Sequence, residues 1–288
     1  MSTKHTLQDF ETHITPTWCP GCGDFGIWTA IKQAMVELNI DPDKLVVVFG
    51  IGCAGNQSNF VRAYGFHGLH GRALPVAEGI ALANHGITTI VVGGDGDGYG
   101  EGIAHFIHTI RANPNITYIV HDNRVYGLTK GQTSPTTAKG TKTPSTPFGS
   151  TDNPVNPLAL AISAGCGFVA RGYAGDVDHL TKLIVDAVHH KGFSLVNVLQ
   201  PCVTFNHINT YAWYYDRVVK LETLKHDPSD KLAAWERTQH DGEQMPIGLF
   251  FQEEKPALQE GYPVLAKKTL VGQTVDKRDI KKLLSGMK

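Results

Sequence analysis

Apolar positions along this chain fall into two rhythms, and their alternation predicts the architecture. Ile27, Ala30, Ile31, Ala34, Met35 and Leu38 recur at helical spacing, with Asp24 expected as the helix cap. Residues 45–49 (LVVVF) form a short β-branched run, as in a strand buried on both faces. A glycine-rich turn, 50–55, follows. The same succession then repeats: a helix over 73–84, a strand over 88–92 ending at Gly93, a helix over 101–112 stopped by Asn113-Pro114, and a strand over 116–120. The rhythm fails from 127 to 157, a stretch of Thr, Ser, Pro, Gly and Lys. A loop that long inside a domain is functional or disordered as a rule. Regularity returns with a helix over 158–163, a short strand at Val169, a helix over 177–190 and a strand over 194–199. Strands alternating with helices predict an α/β fold with a doubly wound, mostly parallel sheet.

Composition narrows the function. Among 288 residues, 41% are hydrophobic and the formal net charge is −1, which argues against binding nucleic acid through bulk charge. No apolar run approaches a membrane span and the first residues lack an apolar core, so a cytoplasmic protein is expected. By count, residues 221–288 carry 22 of the 53 charged side chains, about twice the density of residues 1–220. The chain is therefore divided into a domain over 1–220 and a C-terminal extension over 221–288 expected to contact a partner.

Candidate chemistry lies on turns and strand ends. Cys19 and Cys22 form CPGCG, Cys53 sits in the glycine turn, and Cys202 follows the strand over 194–199. Strand ends of a parallel sheet converge on one rim, so the four thiols can form one site, suited to zinc or an iron–sulfur cluster. The fifth cysteine, Cys166, is expected to be a small buried residue. A second group is Gly93-Gly94-Asp95-Gly96-Asp97-Gly98, between a strand and a helix. Glycines there let a phosphate chain approach the backbone, and a carboxylate can hold a bridging divalent cation. Asn123 ends the next strand, 28 positions after Asp95, about one strand–helix–strand unit. Gly50, Gly52 and Gly55 also match GxGxxG, but no helical periodicity follows, so a dinucleotide site is disfavoured. His67, His70 and Arg72 are open between structural and cofactor-side roles, and the sequons at Asn56 and Asn115 carry no weight in a reducing compartment.

GDG, then 26 residues, then Asn resembles the signature of thiamine-diphosphate enzymes. With CPGCGD, GIGC, LHGRA, GDGDG, HDNRVYGLTKGQTSPT and VLQPC in order, residues 14–215 resemble the β subunit of 2-oxoacid:ferredoxin oxidoreductases, most closely the two-subunit branch that includes 2-oxoglutarate oxidoreductases. The resemblance implies a thiamine-diphosphate-binding fold. It implies one 4Fe-4S cluster on Cys19, Cys22, Cys53 and Cys202, and Mg²⁺ on Asp95, Asn123 and the Val125 carbonyl. Gly94 and Gly96 would frame the diphosphate, with Asp97, Gly52, Cys53 and His70 on the cofactor side. Leu128 and Lys130 would lie on the substrate side, with Lys130 favouring the second carboxylate of 2-oxoglutarate. The implied reaction takes a 2-oxoacid and coenzyme A to acyl-CoA and CO₂, with electrons passing to ferredoxin, or runs in reverse. An α subunit is the implied partner and source of the activating glutamate, in an αβ or (αβ)₂ assembly. The alternatives are a pyruvate-specific or broad-specificity subunit and a non-catalytic zinc-binding subunit.

Overall fold

The side-chain alternation within each strand decides which helices it meets. In the computed structural model, which describes residues 4–266, 268–273 and 284–287, helix α1 (Asp24–Glu37) precedes strands β1 (Leu45–Phe49) and β2 (Tyr64–His67). Helix α2 (Ala73–Ala83), strand β3 (Thr88–Gly94), helix α3 (Ile103–Ala112) and strand β4 (Ile116–Asp122) follow. A small hairpin, β5 (Val125–Tyr126) and β6 (Gln132–Thr133), opens the long loop. Then come α4 (Pro157–Ala164), β7 (Phe168–Tyr173), α5 (Val177–His189), β8 (Phe193–Leu199), α6 (Tyr211–Tyr215), β9 (Val218–Lys220), α7 (Lys231–Thr238) and β10 (Met245–Gln252).

Eight strands form one sheet in the order β2-β1-β3-β4-β8-β7-β10-β9. All neighbours run parallel except β7 and β10. Leu45, Val47 and Phe49 join one core with the apolar faces of α1 and α5. Val46 and Val48 join the opposite core, under α2, α3 and α4. Every residue of β1, β4 and β8 is buried, so these strands carry no polar alternation, as expected for a sheet covered on both sides. Each fully buried Val, Ile or Leu contributes about 1.5–3 kcal/mol, which fixes the strand ends on which the site is built.

Several expectations change in detail. Asp24 does not cap α1: Gly23 occupies the cap position, and Asp24 is fully buried in the first turn. β2 has no apolar signal because all four residues are exposed at the sheet edge. Between β3 and α3 the chain makes one π-helical turn, Gly96–Glu101. The loop over 127–157 is irregular, as expected, yet Ser134, Thr136 and Thr137 inside it are buried.

The largest correction concerns the tail. Its charge density suggested a segment outside the core, but β10 is a strand of the main sheet, and Phe250 and Phe251 pack into the core beneath α2 to α4. The eight residues of β10 carry no charge, a run hidden by averaging over the extension. Residues 267, 274–283 and 288 of that extension lie outside the described residues. Among the described residues no helix is long and apolar enough to cross a membrane.

Candidate active site

The carboxyl ends of β1, β3 and β4 surround a cavity of about 80 Å³, lined by Gly52, Cys53, His70, Gly94–Asp97, His121, Asn123, Val125 and Tyr126 among others. In open parallel sheets ligands bind at this rim, where the winding reverses direction. Asp95 directly follows β3 and is 2% exposed. Its Oδ2 accepts from the hydroxyls of Ser134 (2.5 Å) and Thr136 (2.7 Å). Burial, with Asp122 nearby adding to it, pushes the Asp95 carboxyl up to about 7. No cationic side chain is bonded to it among the described residues, so a divalent cation would suit the carboxylate.

Asn123 arrives from β4. Its side-chain oxygen accepts from the Val125 N–H at 3.0 Å, and its carbonyl accepts from the Asn206 amide at 3.1 Å. Arg124 between them has φ +63°, in the left-handed region that non-glycine residues enter at a cost of about 1–3 kcal/mol. That turn lets Asn123 and Val125 line the same cavity while Arg124 faces another.

Asp97 braces the rim. Its Oδ1 accepts from the N–H groups of Ile51 (2.9 Å) and Gly71 (2.8 Å), and lies 2.9 Å from His70 Nδ1. Burial pushes its carboxyl up, and those two backbone donors oppose the shift. One carboxylate thus ties the turn after β1 to the turn before α2. A Cβ at Gly96 would run into the Tyr126 ring, so glycine is required there by close approach.

The four cysteines line a neighbouring cavity of about 210 Å³, together with Trp18, Asp24, Gln200 and Phe205. Cys53, Asn123, Gly127, Leu128 and Gln200 border both cavities. Cys19 is exposed, Cys53 is half-buried, and Cys22 and Cys202 are buried; all are free thiols. A Cβ at Gly127 would lie 3.4 Å from Cys53 Sγ and 3.9 Å from Cys202 Sγ, so only a glycine's width of backbone separates the hairpin from the sulfurs. Cys22 Sγ lies 3.1 Å from Asp24 Oδ2 and accepts from the Gln200 amide at 3.3 Å. Burial pushes the Cys22 and Cys202 thiols up, and the Cys53 thiol up to about 12. Among the described residues no three His, Cys, Asp or Glu side chains gather into a ready single-ion site; the sulfurs face a cavity rather than a point. Cys166 is elsewhere, fully buried, with its thiol donating to the Phe168 carbonyl at 3.1 Å.

Other expected residues fall less centrally. Leu128 borders both cavities but is 60% exposed. Lys130 is exposed, has φ +80°, and lines neither cavity. Arg72 Nη1 donates to the carbonyls of His70, Gly71 and Glu101, which gives it a structural role. The GxGxxG turn runs into a short 3-10 turn, Gly55–Asn59, in place of the long helix of a dinucleotide site.

Sequence reasoning missed three features: Ser134 and Thr136 on Asp95, the Asp24–His121 contact (2.7 Å, both buried), and Asp241 paired to Arg124 at 2.7 Å. Each joins segments that carry no joint pattern in sequence. The only available hint was the run of hydroxyl residues in QTSPTT.

Comparison with known proteins agrees with this geometry. Residues 33–198 match the thiamine pyrophosphate enzyme C-terminal TPP-binding domain, and residues 202–267 match the C-terminal family of the pyruvate ferredoxin oxidoreductase β chain. The chain is 50% identical over 252 residues to the 2-oxoacid:ferredoxin oxidoreductase subunit β of Saccharolobus solfataricus, covering 82% of each protein. It is 46% identical over 255 residues to subunit β of 2-oxoacid:ferredoxin oxidoreductase 1 of Aeropyrum pernix, covering 85% of this chain and 80% of that one. A solved 2-oxoglutarate:ferredoxin oxidoreductase from Magnetococcus marinus, with 2-oxoglutarate, coenzyme A and succinyl-CoA bound, superposes with a TM-score of 0.91 at 39% identity, over 99% of this chain and 96% of that one. Fold, rim and relatives converge: this chain belongs to the β subunits of the 2-oxoacid:ferredoxin oxidoreductases, enzymes that work with an α subunit.

Proposed function

We propose that this β subunit binds thiamine diphosphate through Mg²⁺ in the smaller cavity and one 4Fe-4S cluster in the larger. With its α subunit it would convert a 2-oxoacid, preferentially 2-oxoglutarate, and coenzyme A to acyl-CoA and CO₂, passing electrons to ferredoxin. The reverse reductive carboxylation would use the same site. The observation that carries this reading is the shared wall, which sets a buried carboxylate–amide pair beside four cysteines.

Thiamine diphosphate, when bound, supplies the nucleophilic carbon that allows a 2-oxoacid to lose CO₂ and release electrons. The chain's part is to hold and exclude. Asp95, Asn123 and the Val125 carbonyl would ligate Mg²⁺, a cation that takes few protein ligands and shares substrate phosphates. Ser134 and Thr136 orient Asp95 for that task. Gly94 and Gly96 leave the backbone open to the diphosphate. Asp97 and His70 hold the rim, and Gly52 lines it at φ +126°. An α subunit would close over the cofactor and bring the activating glutamate.

Four sulfurs around about 210 Å³ favour a polynuclear cluster over a zinc ion, since four thiolates at about 2.3 Å from one ion leave no cavity between them. The shared wall would make the path for electrons short. A broader 2-oxoacid range is the second reading, favoured by the relatives at 46% and 50% identity that are named for 2-oxoacids in general.

The test is the co-purified αβ complex. Thiamine diphosphate, magnesium and four irons per β chain are expected, with coenzyme A-dependent ferredoxin reduction faster on 2-oxoglutarate than on pyruvate. A colourless, zinc-containing complex without thiamine diphosphate would overturn the reading; equal rates on both acids would replace it by the broad-range form.

A further inference from the structure

A third cavity, of about 230 Å³, lies behind the wall that carries Asp95 and plays no part in the reading above. Thr136 joins the two regions: its hydroxyl is 2.7 Å from Asp95 Oδ2 and 2.8 Å from Asp122 Oδ1, and Asp122 lines the third cavity. Two guanidinium groups meet there. Arg171, on β7, is 3% exposed, and its Nε and Nη1 are buried without a hydrogen-bond partner among the described residues. The carboxylate paired with it, that of Asp241, is 3.9 Å away, and the guanidinium stacks over Phe250 at 5.4 Å. Arg124 is 6% exposed; its Nη2 donates to Asp241 Oδ1 at 2.7 Å, while its Nε is buried and unpartnered.

Buried guanidinium donors without acceptors are costly, because the lost hydration is not replaced. The guanidinium donors are not matched locally. Asp122 Oδ2 accepts from the Asn197 amide, and its Oδ1 shares the single Thr136 hydroxyl proton with Asp95. Asp241, 40% exposed on the segment between α7 and β10, is the carboxylate in contact with the guanidinium groups, and together with Asp122 it balances the charge of the two arginines. The other walls are partly apolar, from Leu199, Val155 and two prolines.

We propose that this cavity is a binding site for a small aliphatic carboxylate, held by Arg171 and Arg124 and separate from the thiamine-side cavity. A carboxylate matches the planar fork of a guanidinium, and Asp241 already demonstrates that pairing on Arg124. With Asp122 and Asp241 also on the lining, a singly charged carboxylate meets less repulsion there than a doubly charged phosphate. A cavity of about 230 Å³ is enough for an acid of a few carbons. The carboxylate could be a free acid or an acidic side chain of the α subunit; we assign the free acid.

The experiment titrates the αβ complex with acetate and with succinate by calorimetry, at constant ionic strength set with chloride. Saturable binding is expected. Arg171→Met should weaken it at least about tenfold, the loss of one charge-assisted contact. Asp241→Asn should tighten it severalfold, since it frees Arg124 for the ligand, and its exposed position leaves folding intact. Opposite signs in the two variants identify this cavity, because binding in the thiamine-side cavity would be indifferent to both. The proposal is overturned by absence of saturable binding, by equal affinity in wild type and both variants, or by binding to the isolated chain but not to the complex. The last result would mean that an acidic side chain of the α partner fills the site.

Discussion

Asp95 and Asn123 reach their cavity from neighbouring strands whose registers are fixed by a continuous ladder, and hydroxyl and amide partners hold them in place. The four cysteines reach theirs differently. Cys19 and Cys22 sit on a turn before α1, Cys53 in the turn after β1, and Cys202 just past β8. Backbone N–H groups of Thr204, Phe205 and Asn206 reach Cys202 and the Gln200 amide reaches Cys22, yet burial still favours neutral thiols on three of the four cysteines. The smaller cavity is thus organised by protein before any ligand arrives. The larger would be organised by the proposed cluster, whose binding would release protons from the thiols. Two adjacent sites on one sheet rim can therefore differ in what assembles them.

Substitutions can break this contrast in order of expected effect. Cys53→Ala or Cys202→Ala should remove essentially all iron from the purified complex, since three thiolates do not close the site; a full four irons per chain would take that cysteine out of the ligand set. Asp95→Ala should weaken thiamine diphosphate on the order of 100-fold, as for a lost charged contact, while iron stays at the wild-type level. Calorimetry alongside an iron assay separates the two. If iron fell as well, the cavities would not be independent. Thr136→Val removes a partner of Asp95 rather than Asp95 itself, so a loss of about tenfold is expected in the same titration.

Lys130→Ala should matter least among the proposed site residues. The side chain is exposed in this chain, where an ion pair contributes roughly 0.2–1 kcal/mol, so its selective effect on 2-oxoglutarate over pyruvate should be about fivefold or less in kcat/KM. A much larger selective loss would show that the α subunit buries it. Cys166→Ala is the control. Iron and cofactor should be unchanged, with a stability loss of about 1 kcal/mol by urea unfolding, because that thiol sits in the hydrophobic core.

Much of the rim was legible because it is local. Glycines at a strand end, an acidic residue beside them and an asparagine one strand–helix–strand unit later are all encoded within about 30 residues. The strands covered on both faces announce themselves as continuous apolar runs, so β1, β3, β4 and β8 could be read directly. β7 could not be read in full, since Ala170 and Gly172 dilute its apolar signal. β2 gave no signal because neither of its faces is buried, and β10 gave one that the surrounding charges masked.

The amino-acid sequence by itself determined the alternating parallel architecture, the two groups of chemical residues, and their positions at strand ends. Periodicity and glycine placement act over a few residues and need no knowledge of the rest of the chain. Only the tertiary structure decided which of those residues share a wall, that Asp97 braces loops while two hydroxyls hold Asp95, and that Asp24 faces His121 and Cys22 instead of capping its helix. It alone brought Arg124, Arg171 and Asp241 together across 117 positions. The physical reason is that such pairings depend on which strands become neighbours, and strand order is set by the burial of two whole faces of the sheet.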